Sequence, residues 1–77
     1  MKLLKTENAI NSLKNNVLYF IVDLRLSKPE IRKMIEENLK VKVKAVRTHI
    51  NAKGEKIAIV KLDPSNNAEE IFNSLGE

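Results

Sequence analysis

The chain has 77 residues, 43% hydrophobic and 31% charged, a balance that supports one modest core and argues against disorder. With no cysteine and a single histidine, it cannot form a disulfide, a thiolate nucleophile or a His/Cys metal cluster. A net charge of +4 points to an anionic partner without naming it.

Lys5 and Glu7 interrupt the N-terminal residues too early for a signal peptide, and no apolar window has the length of a membrane span. The expectation is one domain, residues 1–77, in the cytoplasm. Aromatic residues are only 4%, so the core must be built from Ile, Leu and Val.

Leu3-Leu4 suggests a short edge strand. Thr6 is placed as a helix N-cap with Glu7 in the first turn, and Ala9, Ile10, Leu13 and Val17 give the helix its apolar stripe. Asn15-Asn16 ends it. Val17 to Leu26 is the strongest strand signal. Leu18, Phe20, Val22 and Leu24 point one way and Val17, Tyr19 and Ile21 the other, so both faces should be covered for most of its length. Tyr19 is expected to pack, with a polar tip, rather than to serve as a platform for stacked bases, because the sequence lacks the glycine-aromatic run of an RNA-recognition sheet. Ser27-Lys28-Pro29-Glu30 carries a capping box, with Leu26 and Ile31 as a hydrophobic staple. The helix it starts should bury Ile31, Met34, Ile35 and Leu39. The pairs Arg32–Glu36, Lys33–Glu37 and Glu36–Lys40 can form on its outer face, each worth about 0.3–0.5 kcal/mol.

Val41 to Asn51 is a strand whose apolar parity changes midway. A bulge near Lys44-Ala45 puts Val41, Val43, Val46, Thr48 and Ile50 on one face and Arg47, His49 and Asn51 on the other. Ala52 to Glu55 is the turn, with Gly54 free to take positive φ. Lys56 to Leu62 is the last strand, stopped by Pro64. Asn67 and Glu70 resemble a second cap, Ala68, Ile71, Phe72 and Leu75 form the final helix stripe, and Gly76 is a natural C-cap. The fold class is α+β: an antiparallel four-stranded sheet, its first strand short, with three helices.

No catalytic constellation emerges. The serines have capping or surface roles, Glu36-Glu37 and Glu69-Glu70 are solvated helix faces, and Gly54 and Gly76 stand too far apart for a phosphate loop. His49 is either a partly exposed strand residue or a group that stacks on or hydrogen-bonds to a nucleotide. The chain is expected to be no enzyme and to hold no metal or cofactor, with no small-molecule substrate. What stands out is charge. From Lys40 to Lys61 there are seven cations against one acid, Glu55, whereas the other seven cations are spread among nine acids. Such a hairpin is either a lysine-protected sheet edge or a surface that meets phosphates. The gathering of Arg47, His49, Lys53 and Lys56 around one turn favours the second.

Phe20-Ile21-Val22, the stretch Ser27 to Arg32, the run Leu39 to Thr48, Gly54-Glu55-Lys56, Ala58 to Leu62 and Ala68 to Ile71 together resemble the large-subunit ribosomal protein twenty-three family, and Thr6-Glu7-Asn8-Ala9 resembles its opening signature. The resemblance implies a three-layer α/β/α sandwich that binds large-subunit rRNA beside the polypeptide exit tunnel. It also implies a docking rim that meets a neighbouring large-subunit ribosomal protein and the signal recognition particle, in the ribosome of the cytoplasm. The very short hairpin turn is similar to the archaeal form. Carried over by position, the resemblance places Thr6, Lys28, Thr48 and Lys56 at family positions. Asn8, Arg47 and Ile57 depart from it, standing where lysine, asparagine and a second basic residue are usual. The expected rRNA contacts are thus Thr6, Lys28, Arg47, Thr48, His49, Lys53 and Lys56. The alternative is a small protein-interaction module without RNA binding.

Overall fold

The computed structural model describes residues 2–75. Lys2–Leu3 forms β1 and Glu7–Ser12 α1, which runs into a turn of 3-10 helix at Leu13–Asn15. Val17–Val22 is β2, Lys28–Leu39 α2, Val43–Ile50 β3, Lys56–Leu62 β4 and Ala68–Leu75 α3. All pairings are antiparallel and the strand order is β1-β2-β4-β3. This is the expected α+β sheet, and its middle strands are β2 and β4.

Residues directly opposite in an antiparallel pair share a face. Leu18 lies across from Val60, Phe20 across from Ala58, and Val43 across from Leu62. These six side chains form one buried face, packed with Ile31 and Ile35 of α2 and Ala68 of α3. Tyr19 and Ile21 sit on the other face with Ile59 and Ile57. There α1 packs against β2 and buries Ala9. Helices on both sides make three layers.

The second face is only partly covered, because α1 has six residues. Val17, Tyr19 and Ile21 remain half-buried, so β2 is not sealed on both sides as its sequence suggests. Two further expectations fail for a related reason: Ile10 is exposed rather than part of the α1 stripe, and Leu24 lies beyond the end of β2. Ile50 takes the expected α2 side but projects past the helical cover. Apolar pattern marks which face a residue takes, not how far the opposing helix reaches.

The caps match their sequence signals. Thr6 accepts from the Ala9 amide, and Ser27 and Glu30 form a complete capping box. Asn67 accepts from the Glu69 and Glu70 amides. The expected C-cap Gly76 lies outside the described residues. Of the three ion pairs expected on α2, only Arg32–Glu36 forms among the described residues, at 3.8 Å. The Glu36 carboxylate instead accepts the Val43 amide at 3.1 Å, tying α2 to the first residue of β3. The bulge falls where parity demands it, between Val43 and Ala45.

One tether had no sequence signal. Asn16 holds a left-handed conformation at φ 63°, which asparagine tolerates better than most residues. From there its side-chain amide donates to the carbonyls of Leu62, Asp63 and Asn66, and its Oδ1 accepts the Ala68 amide. Asn66 Oδ1 in turn accepts the Lys42 amide. Two asparagines thus clamp the β4–α3 loop to the start of β2 and the approach to β3.

Candidate nucleic-acid interface

The β3–β4 connection is set by Asn51. Its carbonyl accepts the Gly54 amide, its amide N–H donates to the Glu55 carbonyl, and its Oδ1 accepts the amides of Lys53 and Glu55. Gly54 takes φ +80°. A turn followed by one left-handed residue is the standard three-residue hairpin, and it fixes the strand register. The same Asn51 amide group donates to the Glu55 carboxylate at 3.1 Å. The one acid of the basic segment is therefore occupied by a neutral partner.

The register decides where the expected contact residues go. Arg47 lies opposite Ile59 and His49 opposite Ile57, on the α1 side of the sheet. Thr6, His49 and Lys53 line one groove of about 440 Å³ there. Thr48 lies opposite Ala58 and Lys56 opposite Ile50, on the α2 side. Lys56 is half-buried and its ammonium donates to the Leu26 carbonyl. Lys28, at the start of α2, belongs to that side too, where it lines a small hollow with Arg32 and Val46. The seven residues thus gather at one end of the sheet but divide between its two faces. The structure does not bring Lys56 onto the face of Arg47 and His49.

Among the described residues, none of the seven cations from Lys40 to Lys61 forms an ion pair. The acids find other partners. Arg25 holds the Asp23 carboxyl down to about 2 through paired hydrogen bonds. The Ser27 hydroxyl and amide lower Glu30, with a smaller attraction from Lys56. The Ser65 amide lowers Asp63, with smaller contributions from Lys42 and Lys44. Lys56 is held by the Leu26 carbonyl, and the other hairpin cations likewise have no acid within ion-pair distance among the described residues.

A second basic hollow lies at the opposite end of the sheet and was not singled out from the sequence. Lys14, Lys44 and Lys61 converge on a concavity of about 640 Å³ beside the Asn16 clamp. Both Lys44 and Ala45 fall within the bulge across from Lys61, which turns Lys44 toward the same side. The signal was available in the bulge and the parity of β4; what was missing was the proximity of Lys14, distant in sequence. Among the described residues there is no group of side chains suited to hold a metal ion, and no helix is long and apolar enough to cross a membrane.

The described residues form an α/β/α sandwich whose hairpin cations have no acidic partner, a surface whose charge suits a polyanion. The profile of the family described as ribosomal protein L23 matches residues 1–61. The large ribosomal subunit protein uL23 of Methanothermobacter thermautotrophicus is 39% identical over 72 residues, covering 92% of this chain and 84% of that protein. The uL23 of Halobacterium salinarum is 39% identical over 74 residues, covering 95% and 88%. The uL23c of Chlorella vulgaris is 52% identical over 46 residues, covering 60% and 54%. The chain belongs to the ribosomal protein L23 family, and its role is structural rather than enzymatic.

Proposed function

We propose that this chain, a structural protein of the large ribosomal subunit, binds large-subunit rRNA beside the polypeptide exit tunnel and helps form the rim on which nascent-chain factors dock. The observation that carries rRNA binding is the set of hairpin cations with no acidic partner, next to an acid already engaged by Asn51. Cations in this state neutralise phosphates and release counterions. Arg47, His49 and Lys53 meet the RNA from the α1 side. Lys28, Thr48 and Lys56 meet it from the α2 side, so RNA wraps the hairpin end rather than lying on one flat face. Thr6 contributes at the start of α1. Lys56, held by Leu26, acts as a fixed charge, whereas Lys53 on the turn acts as a mobile one.

The tunnel-side position, the neighbouring ribosomal protein and the signal recognition particle are part of the same reading and rest on family membership. One observation favours protein contact at this end as well: Leu24 and Ile50 are more than half exposed, at 58% and 55%. They are too few to make a large patch, which favours RNA as the main partner over a purely protein-binding module.

The experiment is reversal of Arg47 and Lys53 to glutamate, with binding to deproteinised large-subunit rRNA measured over a salt series. Each lost phosphate contact should lower the slope of log K against log salt by about one. Lys56→Glu should also weaken binding, with some loss of stability from its broken bond to Leu26. Unchanged affinity and slope in Arg47→Glu/Lys53→Glu would remove the hairpin from the interface.

A further inference from the structure

We infer that the groove between α1 and the β3–β4 hairpin receives a single unstacked nucleobase of the bound RNA. This inference rests on the rRNA reading and specifies what one part of that surface recognises. The groove's volume of about 440 Å³ falls in the range of small-ligand clefts. Its floor is apolar and aromatic, made of Leu4, the half-buried Tyr19 and the buried Ile57. A planar base with a π-face suits such a floor.

The rim discriminates between occupants. Thr6 is engaged as the α1 cap, the Asn51 side chain is consumed by the turn, and the Glu55 carboxylate is held by Asn51. Among the described residues this leaves the side chains of Asn8, His49 and Lys53 without a hydrogen-bond or ion-pair partner. Asn8 offers a donor and an acceptor, His49 a ring nitrogen of each kind, and Lys53 a cation at the groove edge. An apolar protein side chain would use the floor and leave these three unmatched. A nucleotide uses all of it, with the base on Tyr19, its edge toward Asn8 and His49, and its phosphate near Lys53.

The chain carries its own reporter. Tyr19 is the one tyrosine and there is no tryptophan, so intrinsic emission reports this groove alone. The full chain is titrated with a short single-stranded RNA of mixed sequence and, separately, with inorganic polyphosphate. RNA should quench Tyr19 emission strongly, while polyphosphate should bind and leave emission nearly unchanged. His49→Ala and Asn8→Leu keep every lysine and arginine and lie at exposed positions. Both should lose most of the quenching and bind RNA about tenfold more weakly, with polyphosphate binding unaltered. RNA that binds without quenching would assign the groove to a protein neighbour and overturn the inference while the rRNA reading stands. Quenching that survives in both variants would mean that bases reach Tyr19 by another route, and would overturn it equally. If neither polyanion binds, both readings fall together.

Discussion

Removing the side chain of Asn16 tests whether one residue holds the β4–α3 loop against the start of β2. Its amide group has two hydrogens shared among three carbonyls, at 3.3, 3.1 and 2.8 Å, and its oxygen accepts the Ala68 amide at 2.8 Å. Two donated bonds and one accepted bond, at about 1 kcal/mol net each, amount to about 3 kcal/mol. Asn16→Gly keeps the left-handed backbone accessible and loses all of them. For a chain of this size that corresponds to a fall in Tm of roughly 12–24 °C. Asn16→Asp is nearly isosteric and keeps the acceptor, but at neutral pH it aims a carboxylate at three carbonyl oxygens. It should cost at least as much, and regain part of the loss as the carboxyl protonates and becomes a donor. The assay is urea unfolding followed by circular dichroism at pH 7 and pH 4. Should Asn16→Asp prove as stable as the parent at pH 7, the bonds seen around Asn16 would not be what secures the β4–α3 loop.

Gly54→Ala should destabilise by about 1–2 kcal/mol, because φ is +80° while nothing lies within 4 Å of an added Cβ; the urea midpoint checks it, and Gly54→Asn should cost less. Glu36→Ala should speed hydrogen exchange at the Val43 amide, which loses its acceptor, whereas Glu36→Gln should leave it nearly unchanged. Asp23, Glu30 and Asp63 are all held below their ordinary values. The folded chain therefore binds fewer protons at these sites than the unfolded one, so their contribution is present above the ordinary carboxylate range and fades as pH falls through the lowered values, to about 2 for Asp23. The urea midpoint should decline over that interval, and Glu30→Gln should decline less steeply.

The elements legible in the sequence are those whose cause is local. The Ser27–Glu30 capping box, the α2 stripe of Ile31 and Ile35, and the parity break that demands a bulge at Lys44-Ala45 all depend on residues a few positions apart. What escaped depends on distance or on count. The clustering of cations around the turn was visible, but the face each one takes depends on the closing pair Asn51–Glu55, which sets Ile50 opposite Lys56 and sends Lys56 away from Arg47 and His49. The Asn16 clamp joins residues about fifty positions apart, with separations of 46 to 52. Nothing in an Asn-Asn pair announces such partners. Tyr19 packs half-buried, as expected, but the short α1 also leaves it on the floor of an open groove.

The bulge makes Lys44 the expendable residue of its strand. Val43 already stands across from Leu62, and Ala45 across from Lys61. Deleting Lys44 would restore a regular ladder in which both neighbours keep their present partners, so the hydrophobic inventory of the sheet would survive the shortening. A deletion one step past Ala45 has no such slack and would invert the side chains that follow or precede it. The strand can therefore lose a residue at that point for the cost of a charge and some twist, whereas the regular ladder from Ala45 to Ile50 has none to spare.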